Sequence, residues 1–184
     1  MTHNIRATVA AAGFTALISI GAYISIPVGP VPIVLQNFFV LLSALLLGSR
    51  TALSSVFVYL FLGALGLPVF AGGTGGIAHF FGPTGGYLLS YLPAVVLTGL
   101  IASPGNATLG SNSGRQIAAL LTGTACIYLI GVPWLKFSTG MGWTPALTAG
   151  LIPFIPGDIL KVVVAFFIGR TFAPRVNEFL HTER

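Results

Sequence analysis

The sequence predicts an all-α polytopic membrane protein, six transmembrane helices in a single domain covering residues 1–184, and three observations carry that prediction. The first is composition. Of 184 residues, 55% are hydrophobic and only 6% are charged, with a mean hydropathy of +0.96. A soluble domain devotes about 25% of its residues to charge, so this chain has too little to solvate a globular surface. The second is segmentation. Uncharged stretches occupy residues 7–26, 33–48, 51–67, 83–102 and 117–135, and a sixth, residues 156–172, contains a charged pair, Asp158 and Lys161. Each is near the ~20 residues that cross a ~30 Å hydrocarbon core, and polar flanks extend the shorter ones. The third is charge asymmetry. With the N-terminus inside, Arg6, Arg50, Arg115, Arg170, Arg175 and Arg184 are cytoplasmic and only Lys136 lies in an outer loop. Basic residues gather on the cytoplasmic side, so both termini are expected there, in a multi-pass protein of the cell membrane.

Taken in order, the first stretch carries Ala7, Ala10, Ala11, Ala12, Gly13 and Ala16, a small-residue face that allows close approach of another helix, inside the protein or outside it. Its apolar run exceeds the 7 to 15 residues of a signal-peptide core, so a retained span is expected. A Pro- and Gly-rich connection follows. The second stretch opens at Pro30-Val31-Pro32 and carries Gln36 and Asn37 early, and Gly48-Ser49-Arg50 reads as a tight turn into the third. Between Gly66 and Gly86 lie eight of the 24 glycines, interleaved with Phe80 and Phe81 and followed by Tyr87 and Tyr91. The fourth and fifth stretches flank a polar connection at 103–114. Trp134 and Trp143 border the next connection as interfacial anchors. The sixth opens at Ile155-Pro156-Gly157, where Pro and Gly begin a helix.

Several functions are excluded. The net charge of +5 comes from eight basic residues scattered singly, so no nucleic-acid patch forms. Cys126 is alone, which rules out an intrachain disulfide. His3, His79 and His181 are far apart, His79 in a loop, so no zinc spacing exists and neither metal nor cofactor is expected. Acid–base catalysis needs two placed titratable groups, whereas the spans offer one Asp, one Lys and no His, and no Gly-x-Ser-x-Gly is present. An enzyme is not expected.

The chemistry concentrates in Asp158 and Lys161. A charged group at membrane depth costs about 2.5–3.5 kcal/mol on insertion scales and needs a partner or a watery cavity. Asp158 at a helix start has the sign the helix dipole favours, and Lys161 one turn in has the wrong one. Three apart, they share a helix face, and two readings stand: a structural staple, or a ligand site offering an acceptor and a donor in low dielectric. The glycine-rich loop is expected on the same outer surface. Glycine lets backbone approach a ligand closely, with the aromatics as walls; a merely flexible outer loop is the alternative.

Three blocks, Pro30-Val31-Pro32-Ile33-Val34-Leu35-Gln36-Asn37, the loop ending Gly82-Pro83-Thr84-Gly85-Gly86-Tyr87, and Phe154-Ile155-Pro156-Gly157-Asp158-Ile159-Leu160-Lys161, resemble in order the signature blocks of the BioY family. That family is the biotin-specific substrate-binding (S) component of energy-coupling-factor transporters, and the resemblance spans essentially the whole chain. It implies capture of biotin on the outer side and inward release on association with a transmembrane T subunit and two ATPases. The chain itself has no ATP-binding motif. The resemblance further implies that Asp158 accepts ureido N–H groups and Lys161 donates to ligand oxygen. Gln36 and Asn37 would join the site, and Gly72, Gly73, Gly75 and Gly76 with Phe81 and Tyr87 would close over the ligand. Ala12 and Ala16 match the family's Ala-x-x-x-Ala docking pattern for the T subunit. Two departures stand out: Thr74 where some relatives have a basic residue, and Ser90 where glycine is common. The alternative function is a stand-alone transporter coupled to protons through Asp158.

Overall fold

The computed structural model, which describes residues 2–102 and 112–181, is a helical bundle with one small hairpin. Helix α1 spans Thr2–Tyr23 and runs into a two-pair antiparallel hairpin, β1 (Ser25–Ile26) with β2 (Ile33–Val34). Helix α2 follows over Gln36–Ala64, α3 over Gly85–Ala102, α4 over Ser113–Thr139, α5 over Trp143–Gly150 and α6 over Ile155–His181. Among the described residues, five helices are long and apolar enough to cross a membrane, counting α5 and α6 as one continuous stretch.

The second and third predicted stretches are therefore one hydrogen-bonded element, broken at a single residue. Gly48 adopts φ 75° and ψ 174°, a conformation essentially reserved for glycine. The predicted three-residue turn shrinks to that residue, and Ser49 and Arg50 already belong to the second limb. The first limb, residues 36–47, is the centre of the bundle: Val40, Ala44 and Leu45 are fully buried and Leu41, Leu42, Leu46 and Leu47 nearly so. A helix apolar on every face belongs in such a position. Around it α2 packs against α1, α3 and α6, and α4 packs against α3 and α6.

The outer surface is apolar. Leu129, Leu160, Phe167, Phe57 and Val9 all stand exposed on long helices, which on a water-soluble monomer would form patches far beyond the usual size. In lipid they are at home, and the chain is a multi-pass membrane protein. At one end Arg6 donates to the Phe179 carbonyl and sits 5.6 Å from that ring centroid. The start of α1 and the end of α6 therefore meet on one side. Arg50 and Arg115, at the limb and helix starts, and Arg170 and Arg175, late in α6, fall at the same end. Arg184 and the connection at 103–111 lie outside the described residues.

Several predicted boundaries shift. Ile26 and Ile33 leave the first and second helices for the hairpin, because Pro27, Pro30 and Pro32 cannot supply the N–H groups a helix would need there. Helix α6 runs nine residues beyond the predicted 172, to His181, carrying Pro174 inside it.

Candidate ligand-binding site

At the end of the bundle opposite the arginines, a cavity of about 310 Å³ opens between the hairpin, α3, α4 and the glycine-rich loop. Pro30, Val31 and Pro32 of the hairpin turn form one side, Phe70, Ala71, Thr74 and His79 of the loop another, and Tyr87, Leu88 and Tyr91 of α3 a third. Ile127 and Tyr128 of α4 and Phe154 complete the wall, while Gln36 and Asn37 bring polar groups to it from the first turn of α2. The volume is at the lower end of the ~300–1,000 Å³ typical of small-molecule sites, and the mix of apolar wall with few polar groups is equally typical.

The aromatic wall is held rigidly. Tyr87 donates its hydroxyl to the Gly150 carbonyl at 2.8 Å, and its ring meets Tyr128 edge to face at 6.4 Å; Tyr128 in turn meets Phe154 at 6.3 Å. Tyr87 fits because two helices are notched against it. A methyl on Gly131 would lie 2.4 Å from its ring, and one on Gly150 would lie 2.4 Å from its hydroxyl oxygen.

Asp158 and Lys161 lie directly behind this wall. Asp158 sits in the first turn of α6, as its sequence context predicts, and is 5% exposed. Its Oδ1 accepts from Lys161 Nζ at 2.8 Å and from Asn37 Nδ2 at 3.1 Å, and its Oδ2 accepts from the Tyr128 hydroxyl. Lys161 Nζ also donates to Asn37 Oδ1 at 2.8 Å and to the Val34 carbonyl at 2.9 Å. An ammonium has three protons, and here all three are used. The cluster thus ties β2, α2, α4 and α6 together, and Val34, Asn37 and Tyr128 are its members that also line the cavity. Gln36 is 2% exposed, and its Nε2 has no hydrogen-bond partner among the described residues.

Of the predicted site residues, Gln36, Asn37 and Tyr87 line the cavity and Asp158 and Lys161 back it, whereas Gly72, Gly73, Gly75, Gly76 and Phe81 are not on its wall. Phe81 is 74% exposed. The loop glycines serve the loop's own folding: a methyl on Gly75 would stand 2.2 Å from the Leu67 carbonyl oxygen, and Gly72, Gly73 and Gly76 have φ values of 70°, 74° and 110°. It is their neighbours, Phe70, Ala71, Thr74 and His79, that reach the cavity. Tyr128 gave no signal in the sequence, being one aromatic in an apolar stretch. Trp134 anchors the loop by donating to the Gly82 carbonyl at 3.0 Å, and Trp143 stands exposed near Lys136. Ala12 and Ala16 are exposed on α1, with no atom within 4 Å of a methyl placed on Gly13 between them.

Comparison with known proteins gives this arrangement a family. The BioY family matches residues 1–178. The chain belongs to the BioY family. Among BioY relatives, the probable biotin transporter BioY of Pyrococcus horikoshii is 44% identical over 155 residues, 84% of this chain and 88% of that protein. The biotin transporter BioY of Thermotoga maritima is 42% identical over 164 residues, 89% of this chain and 94% of that protein. Among solved structures, the S-component for biotin from an ECF-type ABC transporter superposes with a TM-score of 0.84 at 34% identity, covering 92% of this chain and 91% of that one. The BioY fold and the chain's three signature blocks therefore agree over nearly the full length.

Proposed function

We propose that this chain is the biotin-binding S subunit of an ATP-driven energy-coupling-factor transporter, capturing biotin from the outer side. The observation that carries the reading is the buried Asp158–Lys161–Asn37–Tyr128 cluster at the base of a 310 Å³ aromatic cavity, in a chain so similar to proteins named as biotin transporters.

Biotin offers two ureido N–H donors, a ureido oxygen, an apolar bicycle and an acid chain. Asp158 Oδ2 is held by one neutral donor, the Tyr128 hydroxyl, and a small displacement of that ring lets a ureido N–H take its place. Gln36 Nε2, buried and unpartnered among the described residues, donates to the ureido oxygen, a contact that offsets the cost of a lone buried amide. The bicycle stacks among Tyr87, Tyr91 and Phe154. Lys161, its protons spent on Val34, Asn37 and Asp158, acts by holding the acceptors in place. The six limbs, counting α2 as two, cross the membrane with both termini in the cytoplasm. Energy comes from two ATPases through a T subunit that docks on the exposed Ala12 and Ala16 face of α1, and the glycine-rich loop closes the cavity.

Calorimetry with biotin on the purified protein tests the binding reading. Asp158→Asn weakens binding at least tenfold, about 1.4 kcal/mol, in protein that still purifies folded; unchanged affinity sinks the assignment. Uptake that survives ATP depletion and collapses with a protonophore identifies the proton-coupled alternative instead.

A further inference from the structure

The base of the cavity can satisfy a ureido group, but nothing there can balance a carboxylate. Its one cation, Lys161, is paired with Asp158 and donates all three protons internally. Among the described residues lining the cavity none is Lys or Arg, and only His79 is able to carry a positive charge. It stands on a short 3-10 turn, Ile77–Phe80, that the loop lowers onto the cavity, fixed by its own N–H on the Gly76 carbonyl at 3.2 Å. Its ring is steadied edge to face by Phe70 at 5.6 Å, and both rings line the cavity, as does Thr84. Thr74, the other hydroxyl here, already donates its proton to the Ala71 carbonyl at 3.0 Å.

We propose that His79, assisted by the Thr84 hydroxyl, is the anion-binding end of the cavity and selects ligands bearing a carboxylate. The inference rests on the reading of the cavity as a biotin site and names the specificity-determining residue of its mouth. An imidazolium N–H facing a carboxylate binds it with charge-assisted strength. The other side chains of the cavity wall bring no positive charge: the loop contributes Phe70 and Thr74, α3 contributes Tyr87 and Tyr91, and α4 contributes Tyr128. The chain's three acidic residues are Asp158, paired to Lys161; Glu178, near the far end of α6; and Glu183, outside the described residues. Lys136, the other cation of this end, packs 4.7 Å from the Phe137 ring centroid and 5.1 Å from that of Trp143, off the cavity wall.

Calorimetric titrations of the intact protein with biotin and with neutral biotinamide at pH 6.0 test this. The wild type is expected to prefer biotin to the amide at least tenfold. His79→Gln lowers biotin affinity at least fivefold and leaves biotinamide within twofold. His79→Arg keeps biotin tight, and Lys136→Gln changes neither ligand. Biotin binding whose preference over the amide survives His79→Gln, or is abolished by Lys136→Gln, overturns the inference and leaves the biotin site standing. Failure of the wild type to bind either ligand overturns the reading on which it rests.

Discussion

Removing the ammonium at position 161 tests whether the buried cluster is a single electrostatic unit. Lys161→Met keeps the length and apolar stem but deprives Asp158 Oδ1, Asn37 Oδ1 and the Val34 carbonyl of their donor. The Asp158 carboxylate keeps the Asn37 amide and Tyr128 hydroxyl but loses its countercharge at a site where the two side chains are 14% and 7% exposed, Lys161 and Asp158 respectively. Breaking a buried pair from one side costs about 3–5 kcal/mol, whereas neutralising both partners is far milder. For a domain of this size each kcal/mol is worth roughly 2–4 °C, so Lys161→Met lowers the unfolding midpoint by about 6–20 °C. Asp158→Asn/Lys161→Met leaves two neutral side chains and an amide N–H that can replace one of the lost donors. Its remaining cost is about one unsatisfied acceptor, ~1–3 kcal/mol. The double variant is therefore more stable than Lys161→Met alone. Trp134 and Trp143 supply the fluorescence for thermal unfolding in detergent, and biotin calorimetry on the same samples separates stability from binding. With Asp158 as the proposed acceptor of the ligand, the double variant is expected to regain stability without regaining affinity. A double variant less stable than Lys161→Met, with the two single costs simply adding, refutes the coupling.

Two further expectations follow from the packing. Gly150→Ala puts a methyl 2.4 Å from the Tyr87 hydroxyl oxygen and 2.7 Å from a Leu135 methyl; overpacking of this kind costs about 1–3 kcal/mol, breaks the bond from Tyr87 to the Gly150 carbonyl, and weakens biotin binding in calorimetry by about tenfold (~1.4 kcal/mol). Ala12→Leu adds bulk on an exposed face and leaves biotin affinity of the isolated protein within twofold, while co-purification with the T subunit falls; loss of biotin binding instead means that this face packs inside the protein.

The helices were legible because their signal is long and redundant: a run of some 20 apolar residues tolerates no other reading in a chain this poor in charge. The buried polar cluster was legible for the opposite reason, since Asp158 and Lys161 are rare where they stand. What the sequence hid was carried by groups without identity in it. The Val34 carbonyl that takes a proton of Lys161 is backbone, and any residue would have supplied it. Tyr128 looks like every other aromatic of an apolar span until α4 brings it to Asp158. Helix α5, eight residues inside a connection, is too short to show a period, and the hairpin has only two residue pairs on which to show alternation. The glycines misled in an instructive way. Their positive φ values let the loop fold tightly on itself, so the contacts with the cavity fall to the residues between them.

Lys161 poses the sharpest sign problem of the sequence, a cation in the second turn of a helix whose start already carries positive partial charge, and the fold solves it with geometry. The dipole term is worth about 0.3–1 kcal/mol at an exposed site and up to ~2 kcal/mol when partly buried. Against it stand three short donor contacts, one to a carboxylate, each charge-assisted and worth about 1.5–3 kcal/mol. The balance favours the ammonium only while all three acceptors are present, and they come from β2, α2 and α6 itself. Position 161 therefore reports on the register of the hairpin and of the first limb of α2 against α6. Any motion that withdraws Asn37 and Val34 from α6 leaves the ammonium facing the helix dipole with Asp158 alone. The cluster that supports the cavity is thus also what resists opening it at its base.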